Sequence, residues 1–120
     1  MTAPPLVAYI DVDDTLVRSF GSKRIPMTEM VAHVRELHAA GVVLYCWSSG
    51  GARYAEESAR ELGIGACFEG FLPKPNVLVD DMPVERWPSF LRVHPNEAVS
   101  KTVDDYRSAI AAGTGPTRGI

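Results

Sequence analysis

The feature that most constrains the fold is a short apolar run, residues 6–10, which ends directly in Asp11-Val12-Asp13. A continuous apolar run is typical of a strand that is buried on both faces of a sheet. Carboxylates as close in sequence as Asp11 and Asp13 repel each other, and a metal or another cation allows both to stay ionised. Because Asp is also common in turns, a strand followed by an ordinary acidic turn is the alternative interpretation.

Apolar runs and helical patterns alternate along the rest of the chain. Further strands are predicted at residues 42–47, 66–72, 77–79 and 90–93, and helices at residues 27–37, 55–62 and 99–110. Residues 18–26 are rich in polar residues and glycine, and we expect an exposed excursion there. Strands that alternate with helices predict an α/β fold, in which helices cover both faces of a parallel sheet.

Polar residues follow the predicted strands at their carboxyl ends. Asp11 and Asp13 follow the first strand, Ser48 follows the second, and Asp80 and Asp81 follow the fourth. Parallel α/β sheets bind ligands beyond the carboxyl ends of their strands. Turn residues without a shared role would fall equally at both ends of the strands. The pattern therefore predicts a functional site at one edge of the sheet.

Length and composition indicate a single small domain. The chain has 120 residues and a net charge of -3, which gives no electrostatic reason to expect nucleic-acid binding. We predict one catalytic domain over residues 1–112 and a flexible tail over residues 113–120. No apolar run approaches the ~20 residues that span a bilayer, so no membrane partner is expected. Cys46 and Cys67 lie in apolar surroundings, which favours reduced thiols in a cytoplasmic protein.

The polar residues, taken in chain order, resemble the motifs of the haloacid dehalogenase-like (HAD) superfamily, most of whose members are magnesium-dependent phosphohydrolases. The matching elements are Asp11-x-Asp13-x-Thr15, Ser48 after an apolar strand, Lys74, and Asp80-Asp81 after another apolar strand. The resemblance spans residues 6–81. It implies a Rossmann-like three-layer sandwich with a central, mostly parallel five-stranded sheet.

The resemblance also implies a phosphatase reaction that depends on Mg²⁺. Asp11 matches the nucleophile that attacks phosphorus and forms an aspartyl-phosphate. Asp13 matches the general acid that protonates the leaving group and then activates water. The carboxylates of Asp11 and Asp80 and the backbone carbonyl of Asp13 would bind the metal. Thr15 would stabilise the turn, and Asp81 would hold either a metal-bound water or Lys74 in place.

A phosphate-binding role is implied for the residues after the second strand and for one lysine. Ser48 matches the hydroxyl that donates to a phosphate oxygen, and Ser49 and Gly50 lead into a helix whose free N–H groups favour an anion. A simple tight turn is the alternative explanation for this glycine. Lys74 matches the lysine that neutralises the nucleophile and the transferred phosphate, and a solvated surface lysine is its alternative.

The intervals between the motifs are short. Neither residues 15–48 nor residues 48–74 have room for the cap domain that many HAD proteins carry, so we expect an open site. The substrate would then be a small phosphorylated molecule, capped by a second subunit of a homo-oligomer, or a phosphorylated macromolecule that covers the site itself. Basic residues and Phe20 within residues 18–26 are candidates for a flap beside the nucleophile.

Two other functional classes remain open from the sequence. A receiver-type signalling domain also combines an acidic metal site, a phosphorylated Asp, a hydroxyl and a Lys on a parallel sheet. The order of the motifs in this chain favours the HAD arrangement instead. A non-catalytic HAD-like binding or phosphotransfer module is the second alternative, and the presence of Asp11, Asp13, Lys74 and Asp80 argues against it.

Overall fold

Short strands and helices alternate over residues 4–113, the part of the chain that this computed structural model describes. The described residues group into two compact units, one that ends at Pro75 and one that begins at Asn76. The elements of the first unit are β1 (Val7–Asp11), β2 (Val17–Phe20), β3 (Lys23–Pro26), α1 (Thr28–Ala39), β4 (Val43–Ser48), α2 (Ala52–Glu61) and β5 (Gly70–Pro73). A short 3-10 turn, Gly65–Cys67, precedes β5.

The main sheet has three parallel strands in the order β1-β4-β5. Their register places Asp11 beside Trp47 and Ser48 beside Pro73. The carboxyl ends of all three strands therefore meet at one edge of the sheet. Parallel pairing of this kind aligns residues that are far apart in sequence, because each crossover returns the chain to the same end of the sheet.

One face of this sheet is buried and the other is partly open. Leu44 and Cys46 of β4 are fully buried, and α2 packs against this strand and β5. Burial raises the pKa of the Cys46 thiol to about 12, so the thiol stays protonated in the core. On the opposite face, Tyr9 and Trp47 pack edge to face with ring centroids 4.9 Å apart, and Tyr9 is 48% exposed.

Residues 18–26, predicted as an exposed excursion, lie within a β-hairpin. Strands β2 and β3 pair antiparallel as a separate two-stranded sheet. The turn consists of Gly21 and Ser22, and Gly21 has a φ of +61°, which glycine adopts without strain. Arg24 and Ser19 form a register pair and share one face of the hairpin, while Phe20 points to the other face and is 73% exposed.

The expectation of a mostly parallel five-stranded sheet in a Rossmann-like three-layer sandwich is wrong. The described residues form a three-stranded parallel sheet and a separate two-stranded antiparallel sheet. The predicted strands at residues 77–79 and 90–93 have no strand structure. Both runs are shorter than a typical strand and lie near prolines, which lack the N–H that a strand ladder needs. Of the predicted strand at residues 66–72, only residues 70–72 form a strand, as part of β5.

The second unit contains mainly loops and short helices. A 3-10 turn at Val84–Arg86 is followed by α3 (Pro95–Ala98) and α4 (Val103–Ala111). The helix α4 begins with a capping box, in which Thr102 and Asp105 each accept a hydrogen bond from the other's backbone N–H. The predicted flexible tail lies, beyond Gly113, outside the described residues. Among the described helices, none combines the length and apolar character that a membrane crossing requires.

The loop between β1 and β2 is wound tightly around one carbonyl group. The backbone N–H groups of Thr15, Leu16 and Val17 all donate to the carbonyl oxygen of Val12, at 2.8–3.2 Å. The side chains of Val12 and Leu16 are fully buried and anchor the loop in the core. Asp14 has a φ of +59°, a left-handed conformation that Asp tolerates better than most residues.

Replacing Asp14 by Val should lower the free energy of unfolding by about 1–2 kcal/mol, because a β-branched residue is strained at positive φ. Asp14→Gly is the matched control and should stay within about 0.5 kcal/mol of the wild type, since glycine adopts this conformation freely. Chemical denaturation followed by tryptophan fluorescence measures both variants. Equal stabilities of the Val and Gly variants would contradict a strained backbone at this position.

Candidate functional site

Asp11 and Lys74 form an ion pair at the carboxyl edge of the parallel sheet. The Lys74 Nζ lies 3.1 Å from Asp11 Oδ1, and their side chains are 38% and 31% exposed. The hydroxyl of Thr15 donates to the other carboxylate oxygen, Asp11 Oδ2, at 3.3 Å. Asp11 ends β1 and Lys74 directly follows β5, so the fold brings together residues 63 positions apart (74 − 11).

The backbone and a neighbouring ring hold Lys74 in this position. Its N–H donates to the carbonyl oxygen of Ser48 at 2.9 Å, which joins the end of β5 to the end of β4. Pro73 and Pro75 on either side restrict the backbone further. The Lys74 Nζ also lies 5.8 Å from the centre of the Trp47 ring, within the range of a cation–π interaction.

The structure places Ser48 inside the protein and its two neighbours at the surface. Ser48 is 1% exposed, and its hydroxyl oxygen accepts a hydrogen bond from the Gly50 N–H at 3.0 Å. Ser49 and Gly50 are exposed in the loop that leads into α2. Of the predicted phosphate-binding groups, Ser49 thus lies at the surface, while the Ser48 hydroxyl is buried and bound to the Gly50 N–H.

Asp13, the predicted general acid, contacts a residue that the sequence did not single out. The hydroxyl of Tyr54, in the first turn of α2, donates to Asp13 Oδ1 at 2.6 Å. This hydrogen bond, with a smaller contribution from burial, raises the pKa of the Tyr54 phenol. Tyr54 consequently remains protonated, and able to donate, throughout the physiological pH range.

Arg24 of the hairpin extends this contact into a network. One of its terminal nitrogens donates to the Tyr54 hydroxyl at 3.2 Å and to Ser58 Oγ at 2.9 Å. The other nitrogen forms an ion pair with Glu61 Oε2 at 2.6 Å. Arg24, one of the basic residues considered for a flap beside the nucleophile, therefore binds α2.

A sequence signal for this network existed. Tyr54, Ser58 and Glu61 follow one another at spacings of four and three residues, which places two hydroxyls and a carboxylate on one stripe of α2. Because these hydrogen-bonding groups lie beside the buried residues Ala55 and Ala59, they indicate that another strand or helix packs against this face of α2. The sequence did not identify that element as the hairpin.

Gly50 provides the space that Tyr54 occupies. A Cβ atom added to Gly50 would lie 2.9 Å from Tyr54 Cδ2 and 3.2 Å from Tyr54 Cγ, too close for any side chain without displacement of the ring. Gly50 thus allows the Tyr54 ring to lie against the loop after β4. This packing role differs from the phosphate contact that the sequence predicted for the glycine.

The predicted metal ligands are divided between the two units. Asp11 and Asp13 belong to the first unit, while Asp80 and its neighbour Asp81 are exposed residues of the second. Asp80 Oδ1 accepts a hydrogen bond from the Met82 N–H at 2.9 Å, an arrangement typical of a turn. Among residues 4–113, no group of three or more His, Cys, Asp or Glu side chains is placed to hold a metal ion.

The first-unit residues nevertheless fit a hard cation chemically. The expected ligands are two carboxylates, of Asp11 and Asp80, and the backbone carbonyl of Asp13, so a cluster of three acidic side chains is not needed. The first unit supplies Asp11 and Asp13. Asp11 is partly exposed and Asp13 is exposed, which leaves room for a cation that keeps several of its waters. All of the donors are oxygens, as Mg²⁺ prefers.

Comparison with known proteins adds information about the fold alone. The sequence matches no protein-family profile, and no curated protein is significantly similar to it. The structure resembles a crystal structure of a Vibrio cholerae protein, with a TM-score of 0.62 and 16% sequence identity. The similarity covers 89% of this chain and 98% of the Vibrio cholerae chain. At this level of identity, the two proteins share a fold, and no activity follows from it.

Replacing Arg24 by Met should reduce the free energy of unfolding by about 1–2 kcal/mol, because it removes an ion pair and two hydrogen bonds. Arg60→Met is the matched control, since Arg60 forms a single exposed ion pair with Glu56 at 2.7 Å within the same helix. That loss should cost less than about 0.5 kcal/mol. Urea denaturation of both variants provides the comparison, and a control as destabilised as Arg24→Met would contradict the anchoring of the hairpin.

Proposed function

We propose that this chain is a HAD-type phosphatase, a Mg²⁺-dependent phosphohydrolase that cleaves phosphate monoesters through an aspartyl-phosphate intermediate. The observation that carries the proposal is the contact between Asp11 and Lys74 at the carboxyl edge of three parallel strands. A carboxylate nucleophile needs a nearby cation that lowers its repulsion with an incoming phosphate, and Lys74 is placed to supply that charge. Both side chains of the pair are about one third exposed, which leaves them accessible to a substrate.

The proposed reaction has two steps. In the first, a carboxylate oxygen of Asp11 forms a bond to phosphorus while the bond to the leaving oxygen breaks, and Asp13 transfers a proton to that oxygen. In the second, Asp13 removes a proton from water, whose oxygen attacks phosphorus and releases Asp11. Lys74 neutralises negative charge in both steps, and the surface at the start of α2 favours the phosphate oxygens.

Mg²⁺ is the cofactor that we propose for this reaction. In the first unit the carboxylate of Asp11 and the backbone carbonyl of Asp13 would hold it. The motif resemblance assigns Asp80 as a further ligand and Asp81 as its support. When bound, the ion would neutralise charge on the phosphate and on the nucleophile. The side chains of Asp13 and Lys74 retain their separate tasks of proton transfer and charge neutralisation.

A small phosphate ester is the substrate class that we favour. Between Thr15 and Ser48 the first unit contains only the β2–β3 hairpin, α1 and β4, and between Ser48 and Lys74 only α2, a 3-10 turn and β5. No cap domain therefore separates these residues, and a second copy of the chain would exclude water from a small substrate. A phosphorylated macromolecule is the alternative. The free thiols Cys46 and Cys67 favour a reducing compartment such as the cytoplasm.

One observation favours a second candidate function, a non-catalytic phosphate-binding module. Asp80 lies outside any strand, in a turn that its own carboxylate stabilises. A protein that binds phosphate through Lys74 and the start of α2 would not need Asp80 as a ligand. Such a module would bind inorganic phosphate without turnover of any ester.

Asp11→Asn should lower the turnover of a phosphate ester in the presence of Mg²⁺ by at least about 10³-fold, because an amide oxygen is a poor nucleophile. The matched control is Asp14→Asn, which removes a charge three residues away (14 − 11) and should change turnover less than about threefold. A colorimetric assay for released phosphate measures both. Retained turnover in a folded Asp11→Asn protein would contradict the assignment of Asp11 as the nucleophile. A wild-type protein that binds phosphate but hydrolyses no ester would favour the binding module.

Asp13→Asn should affect esters according to their leaving groups. An alkyl phosphate, whose leaving oxygen needs a proton, should lose about 10²–10⁴-fold in kcat, while an aryl phosphate with an acidic phenol should lose much less. Steady-state kinetics on one ester of each kind tests this expectation. Equal losses on both esters would show that Asp13 has no part in transferring the proton.

A further inference from the structure

The side chain of Asp13 needs an external partner to hold one orientation. Its backbone is fixed by the tight loop around the Val12 carbonyl, but the residue itself is exposed. An exposed Asp exchanges among several rotamers, and only some of these point a carboxylate oxygen at a leaving group. Proton transfer requires a distance of about 2.6–3.2 Å, so this freedom would reduce the rate.

We propose that Tyr54 is a positioning residue, which fixes the carboxylate of Asp13 through its hydrogen bond to Oδ1 and leaves Oδ2 to transfer the proton. The inference rests on the proposed phosphatase function and extends it to a residue outside the acidic motifs. The contact of 2.6 Å is among the shortest hydrogen bonds of the first unit, and it joins the loop after β1 to the first turn of α2. A carboxyl group that carries its proton on Oδ2 still accepts a hydrogen bond at Oδ1, so the contact persists while Asp13 acts as the acid.

Arg24 determines the direction of this hydrogen bond. A guanidinium group only donates, so its contact with Tyr54 must end on a lone pair of the phenol oxygen. The O–H of Tyr54 therefore points to Asp13, whose Oδ1 accepts the hydrogen bond. Ser58 and Glu61 fix Arg24 in turn, at 2.9 Å and 2.6 Å. Hydrogen bonds thus run in one direction, from Arg24 of the hairpin to Tyr54 of α2 and from Tyr54 to Asp13, the proposed acid.

The loop after β4 fixes the ring itself. Because Gly50 lacks a Cβ, the Tyr54 ring approaches the loop to a distance that any side chain would prevent. The ring is therefore held on one side by Gly50 and at its hydroxyl by Arg24 and Asp13. Because these contacts already fix the Tyr54 side chain, it loses little additional conformational entropy when a substrate binds.

The test compares Tyr54→Phe with Tyr45→Phe on an alkyl and an aryl phosphate ester, with Mg²⁺ present. Tyr45 lies on β4, in the same unit, and its hydroxyl has no part in the proposed site. Tyr54→Phe should lower kcat for the alkyl ester about tenfold to hundredfold, leave the aryl ester within about threefold, and leave KM unchanged for both. Tyr45→Phe should stay within about twofold of the wild type on both esters.

The double variant with Asp13→Asn separates positioning from a structural role. In the Asp13→Asn background, Tyr54→Phe should cause no further loss, because the residue acts only through Asp13. An additional loss there, or equal losses on both esters from Tyr54→Phe alone, would overturn the inference while the phosphatase proposal stands. A wild type that hydrolyses neither ester would overturn both. Circular dichroism and thermal unfolding confirm that each variant is folded.

Discussion

The parallel alignment of β1, β4 and β5 is the constraint on which the candidate site depends. Backbone pairing sets Asp11 beside Trp47 and Ser48 beside Pro73, so three distant segments end at the same level. Alternation of side chains along parallel strands then puts Asp11 and Trp47 on one face of the sheet. Lys74 reaches both from the end of β5. A shift of one residue in the pairing would turn these side chains to the opposite face.

Short-range sequence patterns predicted the elements that depend mainly on burial. The apolar runs before Asp11 and Ser48 correspond to β1 and β4, and the helical patterns correspond closely to α1 and α2. The same reasoning failed at residues 77–79 and 90–93, because an apolar run shows a tendency towards extended structure but not the presence of a pairing partner. Val79 is 93% exposed, which shows that apolar character alone did not bury this segment.

The sequence predicts the part of the candidate site that depends on the ends of the strands. Asp11 and Lys74 meet because Asp11 ends one strand of a parallel sheet and Lys74 directly follows another, and the alternation of elements predicts parallel strands. The hydrogen bonds that Tyr54 makes with Asp13 and Arg24 depend on how a loop and a hairpin pack against α2, which local sequence patterns do not contain. No propensity identifies Arg24 as the partner of α2 rather than Lys23 or Arg18, because all three are long cations in the same polar segment.

The position of the loop between β4 and α2 has a consequence for how this sequence can change over time. Tyr54, Ser58 and Glu61 occupy one stripe of α2, and the helix begins directly after this loop. Each residue inserted into α2 ahead of Tyr54 would rotate that stripe by about 100°. Tyr54 would turn away from Asp13, and Arg24 would lose its acceptors together. Substitutions within this loop are therefore tolerated where space allows, whereas a residue inserted into the first turn of α2 would break the contacts of Tyr54 and Arg24 together.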